Sequence, residues 1–280
     1  MSNSLIEERY RGDCEKCFGL CCAALPFAKS ADFAVNKDAG TPCTNLQADY
    51  RCGIHRDLRN KGFRGCTVYD CFGAGQQVSQ YTYSGKDWRQ NPHLAKEMFD
   101  VLPVMQQLYE MLAYLSEALQ LEDTKSIHEQ LFKAKQDIEQ LTNQEPQLLL
   151  ELDVSKHRAY VNDLFIQASR LVRSKVKGNK ENNKLNKVLK RRDHIGARLS
   201  GIDLRGADLR GFLFIAADLR GADLRYADVI GADFRDADLS GANLNGCIFL
   251  TQAQVNSAAG DKQTSLPPSV EMPEHWNRKA

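Results

Sequence analysis

The last third of the chain carries apolar residues at a fixed spacing of five positions. Between residues 197 and 251 the third position of each five-residue unit is apolar, and a small residue, usually alanine, stands two positions before it. Neither an amphipathic helix nor a plain strand has a period of five. The pattern predicts a solenoid, in which each unit buries its apolar residue only against neighbouring units. The apolar series is Leu199, Leu204, Leu209, Phe214, Leu219, Leu224, Val229, Phe234, Leu239, Leu244 and Phe249.

A second pattern covers residues 91–176, where apolar residues recur in steps of three and four. Such steps place one apolar stripe along each helix, and three helices can bury their stripes together. The interruptions are short, so neighbouring helices should run antiparallel. We expect Pro103 in the first turn of the first helix and Thr124 at the N-cap of the second. The stripes are Met105, Leu108, Leu112, Leu115 and Leu119, then Ile127, Leu131, Ala134, Ile138 and Leu141, then Leu150, Val154, His157, Val161, Leu164, Ala168 and Leu171.

Composition changes along the chain predict a multi-domain protein. The 280 residues are enough for two or three modest domains. The N-terminal region is rich in cysteine and glycine, a later segment is basic and rich in asparagine, and the end carries three prolines. We predict an irregular Cys-rich metal-binding module at 1–90, an α-helical bundle at 91–176, a basic linker at 177–196, a solenoid with a C-terminal cap at 197–260, and a disordered tail at 261–280.

The repeat units, such as ADLRG, ADLRY, ADFRD and ADLSG, closely resemble the pentapeptide-repeat family, whose unit is A(D/N)LxX. The resemblance covers about a fifth of the chain. It implies a short right-handed quadrilateral β-helix with four units in each coil. Glycine at the fifth position allows a tight corner. Because a solenoid is a scaffold, we expect this β-helix to present a surface to a protein partner.

Two positions of the unit FLFIA, residues 212–216, depart from the repeat pattern. Phe212 places a large ring where alanine belongs, and Leu213 replaces a solvent-facing aspartate, which makes the run 212–215 unusually apolar. This run is interpreted as a local bulge or a contact within the chain, and the alternative is a patch that docks a partner. Cys247 occupies a small inward position and is predicted to be structural.

The charge distribution bears on which partners are expected. Net charge is +1, and no stretch approaches 18 apolar residues, so no membrane partner is expected. Residues 173–192 hold 9 basic and 1 acidic residue, and this linker could bind nucleic acid. A solvated spacer is favoured, because the segment lacks interleaved aromatic residues. Some pentapeptide-repeat proteins mimic DNA, but residues 197–250 carry 8 Asp and 6 Arg, and such near-neutrality does not support mimicry here.

Eight of the nine cysteines lie between residues 14 and 71. Clustered thiolates suit soft metals, and the CxxC at Cys14 and Cys17 brings two thiolates to one metal. Eight thiolates can hold two tetrahedral zinc ions, or one four-cysteine iron–sulfur cluster beside other thiols. Adjacent side chains diverge, so Cys21 and Cys22 either serve different sites or share one through an irregular turn. The predicted metal ligands are Cys14, Cys17, Cys21, Cys22, Cys43, Cys52, Cys66 and Cys71, with His55 either a further ligand or an exposed loop histidine.

The start of this cluster, CxxC-x3-CC, resembles the cysteine-cluster proteins with a CxxCxxCC signature that are described as zinc- or iron-chelating. One branch of that group includes flagellin-lysine methylases associated with an iron–sulfur cluster. The match covers only about a dozen residues, and its spacing before the paired cysteines is three rather than two. The resemblance implies metal binding and transfers no enzymatic activity.

These observations favour a non-enzymatic, metal-binding scaffold protein of bacterial origin. No catalytic set is identified in the sequence. The alternatives are an iron–sulfur redox sensor or enzyme, and nucleic-acid binding through the linker. The N-terminus is polar and resembles no secretory signal, which predicts a cytoplasmic protein, where thiols stay reduced.

Overall fold

Helices form the N-terminal part of the chain and a repeat coil forms the C-terminal part. The computed structural model describes residues 8–176 and 188–277. Its α-helices are α1 (Leu20–Ala24), α2 (Arg64–Thr67), α3 (Ala74–Gln76), α4 (Pro92–Gln120), α5 (His128–Thr142), α6 (Pro146–Leu150), α7 (Val154–Arg173) and α8 (Gln252–Ser257). Short 3-10 turns lie at Glu8–Tyr10, Cys14–Lys16, His55–Asp57, Glu122–Ile127 and Glu274–Asn277, and a π-helical turn lies at Gln77–Thr82. None of the described helices is both long and apolar enough to cross a bilayer.

The described residues divide into two compact units. The N-terminal unit contains residues 8–119 and 128–164, and the repeat unit contains residues 120–127, 165–176 and 188–277. The cysteine-rich segment therefore shares a unit with α4 and α5 instead of forming a separate module. A short glycine-rich segment has few apolar side chains with which to build a core of its own, so it packs on a helix.

Aromatic side chains fix the cysteine-rich segment to α4 within the N-terminal unit. The ring of Trp88 lies edge-on to Phe99 with centroids 5.5 Å apart, and its indole N–H donates to the Phe18 carbonyl at 2.8 Å. Tyr10 makes a similar edge contact with Tyr109 at 5.9 Å. Met105, Leu108, Leu112 and Leu115 of the first helical stripe are buried, as the 3–4 spacing predicts, and Leu119 at its end is half-buried.

The helix ends differ from the sequence prediction at two places. Helix α4 begins at Pro92, so Pro103 lies inside the helix and not in its first turn. Pro103 is exposed, which lets water satisfy the carbonyl that loses its partner one turn earlier. Thr124 lies within the 3-10 turn Glu122–Ile127, and the α-helix starts only at His128.

The repeat coil turns once every twenty residues. Parallel bridges join residues twenty positions apart, for example Asp203 to Asp223 and Asp223 to Asn243. Four five-residue units therefore make one turn, as the resemblance implied. The apolar third residues fill the interior, where the rings of Phe214 and Phe234 stack at 5.5 Å. Within residues 188–277 single bridges stand where the predicted β-helix would have strands, because each side is only a few residues long between corners.

Each corner of the coil places its fifth residue in the left-handed region. Gly221 has φ +63° and Gly231 has φ +65°, which glycine adopts without penalty. Where glycine is missing the conformation is retained, since Ala216, Tyr226 and Asp236 have φ between +54° and +59°. The coil therefore imposes the left-handed backbone conformation at each corner, whichever residue occupies it.

The coil extends beyond the predicted repeats at both ends. At the start, Asp193 bridges to Leu213, and His194 is buried, so these residues of the predicted linker form part of the first turn. The rest of that basic segment, and the nucleic-acid interface considered for it, fall largely on residues 177–187, outside the described residues. At the far end Ser265 bridges to Asn243, and Trp276 is buried with its indole N–H donated to a carbonyl. Residues 261–277 are thus an ordered cap and not the expected disordered tail.

The large ring at position 212 has a partner within the chain. Phe212 is buried and stacks on the imidazole of His194 with centroids 5.7 Å apart. The ring of Phe214 lies 5.6 Å from the same imidazole. Phe212 is therefore neither a bulge nor an exposed residue, and it makes a contact within the chain, because its ring stacks on His194 and Phe214.

Candidate metal centre

All eight N-terminal cysteines are free thiols on short elements and the loops between them. Cys14 is exposed, and the other seven are half-buried. Cys14 starts the 3-10 turn Cys14–Lys16 and Cys17 directly follows it, Cys21 and Cys22 are successive residues of α1, and Cys66 lies on α2. Cys43 and Cys52 lie on the two sides of a loop, and Cys71 precedes α3.

Two glycines lie directly against the sulfurs of Cys17 and Cys71. A Cβ at Gly75 would stand 2.8 Å from Cys17 Sγ and 3.8 Å from Cys71 Sγ. A Cβ at Gly12 would stand 3.2 Å from Cys71 Sγ. The two sulfurs therefore converge on the first residues of α3, at a place where a larger residue would displace them.

The side chain of Gln76 holds the N-terminal segment beside this helix. Its amide donates to the Arg11 carbonyl and accepts from the Asp13 backbone N–H, both at 2.8 Å. The Asp13 carboxylate in turn caps the turn that carries Cys14 by accepting from the Glu15 N–H. Two segments that are distant in sequence, residues 11–17 and 71–76, are thereby brought to the same sulfurs.

Backbone amides donate to several of these sulfurs. Burial raises the pKa of the Cys17 thiol, while hydrogen bonds from the Leu20 and Gly19 amides and the Ser79 hydroxyl act in the opposite direction. Burial likewise raises the pKa of Cys71, opposed by amides that include those of Gly75 and Gly73. Hydrogen bonds to a thiolate favour the charged form, which is the form that binds metals.

A different loop joins Cys22, Cys43 and Cys52. The Cys43 backbone N–H donates to the Cys22 carbonyl at 2.9 Å. Cys52 pairs with Leu46 in an antiparallel bridge, which returns the chain past Cys43. Burial, together with the neighbouring thiols of Cys22, Cys43 and Cys52, raises the pKa of Cys66 to about 12.

The adjacent residues Cys21 and Cys22 are linked at the thiols. A side-chain hydrogen bond between them raises the pKa of Cys21 and lowers that of Cys22. Cys21 is also influenced by Cys17 and Cys71, whereas the positive charge of Lys37 acts on Cys22. The two residues thus share a contact but have different further neighbours.

Lys37 is a buried cation beside these thiols. Its side-chain ammonium donates to the carbonyls of Ala23 and Asp38, each at 3.1 Å, and the residue is 7% exposed. Burial lowers the pKa of Lys37, and the thiols of Cys43 and Cys22 oppose that shift. A buried ammonium is stabilised by an anion nearby, and a thiolate at Cys22, whose pKa is lowered, would supply one.

Tyr69 carries an orphaned hydroxyl near the other thiols. Its phenolic oxygen is buried and lacks a hydrogen-bond partner among the described residues. Burial raises the pKa of Tyr69 well above its ordinary value, and the thiols of Cys71, Cys21 and Cys17 raise it further. A buried O–H without an acceptor is costly, and a thiolate sulfur nearby could accept it.

The cysteine side chains lie in one region, but they do not surround a single point at which a metal ion could bind. Among residues 8–176 and 188–277, no three Cys, His, Asp or Glu side chains converge closely enough to hold a metal ion. Four thiolates on one zinc lie about 2.3 Å from the metal, so their sulfurs must come into mutual contact. A single tetrahedral ion therefore requires these side chains to move inward, whereas a polynuclear cluster requires a wider spacing.

The remaining candidate residues lie elsewhere. His55 is exposed at the start of its 3-10 turn. Cys247 is buried in the coil and donates to the Leu224 carbonyl at 2.8 Å, which matches its predicted structural place. Sequence analysis did not identify Lys37 or Tyr69, because a single lysine or tyrosine in a loop carries no pattern that distinguishes it.

Comparison with known proteins shows the family of this chain. The family model described as pentapeptide repeats matches residues 213–249 with 8 copies. The uncharacterized protein YybG of Bacillus subtilis (strain 168) is 60% identical over 266 residues, which cover 94% of each chain. The chain belongs to the same family of pentapeptide-repeat proteins as YybG. Since the similarity to YybG extends far beyond the repeats, membership of this family involves the N-terminal unit as well as the coil.

Three solved pentapeptide repeat proteins resemble only part of this family member. One from the cyanobacterium Cyanothece 51142 is 26% identical, with 29% of this chain and 50% of that chain covered, at a TM-score of 0.18. One from the Arabidopsis thaliana thylakoid lumen is 28% identical, with 28% of this chain and 57% of that chain covered, at a TM-score of 0.15. One from Nostoc Pcc 7120 is 28% identical, with 33% of this chain and 95% of that chain covered, at a TM-score of 0.16. The chain thus spans about half the length of the first two.

Proposed function

We propose that this pentapeptide-repeat protein binds a metal through its N-terminal thiols and presents its repeat coil to a protein partner. The observation that carries the metal proposal is the set of eight free thiols on segments held together by Gln76, by aromatic contacts and by amide donors. Such donors stabilise thiolates, and soft thiolates select zinc or iron–sulfur clusters over magnesium or calcium. The proposed compartment is the cytoplasm, where thiols remain reduced.

The cysteine sulfurs have the chemistry needed to bind a zinc ion or an iron–sulfur cluster. The thiols would hold the group, Lys37 would balance its negative charge, and the amides of Gly75 and Leu20 would fix the thiolates in place. A bound zinc ion would tie loop segments together, and an iron–sulfur cluster would add one-electron redox chemistry. The second candidate is an iron–sulfur cluster held by four of these cysteines, with a role as redox sensor or enzyme.

Metal content of the full chain, purified without oxygen, tests this proposal. Zinc without colour would support an architectural centre, and iron with acid-labile sulfide and visible absorption would support a cluster. Cys247→Ala is the matched control, because its thiol lies inside the coil and should not affect the metal content. A chain that holds no metal as purified, or after reconstitution with zinc or with iron and sulfide, would contradict the proposal.

The proposed partner surface lies on one side of the coil. Ile195 and Leu213 are exposed outward-facing residues of successive turns, and the Gly196 N–H bonds the Ile215 carbonyl, which sets Ile195 and Ile215 on the same side. Elsewhere the surface carries Asp–Arg pairs, such as Asp218 with Arg220 at 2.8 Å. A photo-crosslinker at Leu213 should trap one defined protein in cells, and the same group at Arg220 should not.

A further inference from the structure

The last part of α7 packs on one side of the repeat coil, within the repeat unit. We call residues 165–176 the docked segment. The ring of Phe165 lies 5.3 Å from the ring of Phe249, and both residues are buried. The Arg173 side chain donates from Nε to the Gly206 carbonyl at 2.9 Å, and a Cβ at Gly206 would stand 3.4 Å from the Arg173 carbonyl oxygen. The docked segment therefore lies directly against a corner of the coil.

A buried carboxylate belongs to the same side of the coil. Asp228 is 0% exposed, and its Oδ1 accepts from the Ile230 N–H at 3.0 Å, whereas its Oδ2 has no hydrogen-bond partner among the described residues. In the units that read ADLR, the aspartate pairs through both oxygens with the arginine two residues later, as Asp223 does with Arg225. In the unit ADVIG this arginine is replaced by Ile230, so Asp228 is buried without the partner that the repeat supplies elsewhere.

Charged and polar groups face Asp228 from the coil and from the docked segment. On the coil, Arg210 Nε lies 3.4 Å from Asp228 Oδ2, and the same side chain pairs with Asp208 at 2.7 Å. On the docked segment, the fully buried Ser169 hydroxyl donates to Asp228 and accepts from Arg173 at 3.3 Å. Arg173 also lies 3.4 Å from Asp208 Oδ2. Because Asp208 shares both arginines, the negative charge of Asp228 is offset only in part.

We propose that Asp228 makes the contact between the docked segment and the coil a pH-dependent switch, which is held closed by the protonated carboxyl and loosened by the ionised one. An ionised carboxylate is costly where it is buried with an oxygen that lacks a donor, and it is stable in water. Release of the docked segment hydrates Asp228 and removes that cost. The switch is thus built from a helix, a coil and one substituted arginine, and it is independent of the N-terminal thiols.

The direction of the switch follows from the two states of Asp228. Burial raises the pKa of the carboxyl to about 6 in the docked state, although hydrogen bonds from Ile230 and Ser169 and the charge of Arg210 oppose the shift. In the released state the pKa returns toward its ordinary value of 3.8. The docked state therefore holds the proton more tightly, so docking is favoured at low pH and weakens as the pH rises through about 6.

Asp208 acts on the same contact with the opposite sign. Hydrogen bonds from Arg210, helped by the charge of Arg173, hold the pKa of Asp208 below its ordinary range against the effect of burial. The ion pair between Asp208 and Arg173 is therefore present above that pKa and is lost only as the pH falls through it. Among the groups that face Asp228, only Asp228 itself changes charge between about pH 5 and about pH 7.5.

Hydrogen exchange of the full chain, read by mass spectrometry and corrected for the intrinsic pH dependence of amide exchange, tests this switch. We expect the opening equilibrium of residues 165–173 to rise about tenfold between about pH 5 and about pH 7.5, the change for a carboxyl whose pKa falls from about 6 to 3.8 on release. Because the segment opens by itself, it should exchange faster than the coil interior at both pH values. The interior is represented by peptides that contain Leu219 and Leu224.

Two isosteric variants separate Asp228 from other carboxylates of the coil. Asp228→Asn keeps a neutral side chain of the same shape, so the opening equilibrium should no longer change with pH. Asp218→Asn is the matched control, since Asp218 is paired with Arg220 and should leave the rise with pH unchanged. The same rise in Asp228→Asn as in the wild type would overturn the proposal, because another group would then be responsible.

The wild type alone also decides the matter, which makes the test independent of whether a variant folds. An opening equilibrium of residues 165–173 that is equal at the two pH values would overturn the proposal. Equal protection of the segment and the coil interior would overturn it as well, because the segment would then be released only when the whole coil unfolds.

Discussion

A Cβ at Gly75 would stand 2.8 Å from the sulfur of Cys17, closer than non-bonded side-chain atoms approach each other. Gly75 lies in α3, where alanine is ordinarily the better helix former by about 1 kcal/mol. The close approach reverses that preference, because the added methyl group would push Cys17 and Cys71 apart. Glycine at position 75 therefore gives the Cys17 and Cys71 sulfurs room to approach each other, and it is not favoured by the helix itself.

Gly75→Ala should therefore weaken metal binding by roughly 10–100-fold, the range found when the surroundings of metal ligands are altered. The measurement is a competition titration of the full chain with a chelator. Gly53→Ala is the control, since its Cβ would meet only the flexible Gln47 side chain at 3.1 Å. Equal affinities for the two variants would show that the space at Gly75 is not used by the metal centre.

Lys37→Met should lower the metal affinity of the N-terminal thiols by a similar roughly 10–100-fold, because a buried positive charge that would offset the thiolates is removed. The apolar side chain fills the same space, so the metal-free protein should remain folded. Lys96→Met, at an exposed site on α4, is the matched control. If metal affinity is unchanged in Lys37→Met, the lysine serves only the two carbonyls to which it donates.

Asp228 should make the stability of the coil depend on pH. Burial raises the pKa of this carboxyl to about 6, although Arg210 Nε lies 3.4 Å from its Oδ2. The folded state then holds the proton more tightly than the unfolded state, so this contribution to stability is present at low pH and is lost as pH rises through about 6. A shift of about two pKa units corresponds to about 3 kcal/mol.

Asp228→Asn removes this titration. Relative to the wild type, the variant should gain about 3 kcal/mol between acidic conditions and pH above 6, measured by urea unfolding across a pH series. Asp203→Asn is the control with the opposite sign, since hydrogen bonds from Arg205 hold the pKa of Asp203 below its ordinary range. Parallel pH profiles for wild type and Asp228→Asn would contradict the burial effect.

Ala216→Gly and Gly221→Ala should change coil stability in opposite directions. Both positions are corners with left-handed φ, at +54° and +63°, and a Cβ at Gly221 would meet nothing within 4 Å. The effect therefore comes from the backbone alone, about 1 kcal/mol of stabilisation for Ala216→Gly and about 1 kcal/mol of destabilisation for Gly221→Ala. Thermal unfolding of the two variants is the measurement, and changes of the same sign would exclude a backbone origin.

Phe212→Ala restores the residue that the repeat pattern favours, and we still expect it to destabilise the coil by about 3 kcal/mol. The loss follows from the cavity left between His194 and Phe214, on which the ring stacks. Chemical denaturation gives the difference in unfolding free energy. A variant as stable as the wild type would mean that the first turn collapses onto the smaller side chain.

The period of five predicted the coil and its interior residues, because these depend on contacts between neighbouring repeat units. The turn of four units was implied by the family resemblance. The 3–4 spacing similarly placed the stripes of α4 and α5. The position of Pro103 and the ordered cap at 261–277 were not evident from the sequence, since each depends on contacts with distant residues. Trp276, for example, is buried where its indole N–H donates to the Ala258 carbonyl, a contact that the local sequence does not reveal.

The sequence by itself determined which residues could bind metal, because eight thiols of one chemical type lie within sixty positions. It left open how they are grouped. Only the tertiary structure brought Cys71 against Cys17, placed Lys37 beside Cys22 and left the Tyr69 hydroxyl without an acceptor. The physical reason is that loop geometry is fixed by long-range packing on α4, whereas a residue's capacity to bind metal is a property of its side chain alone.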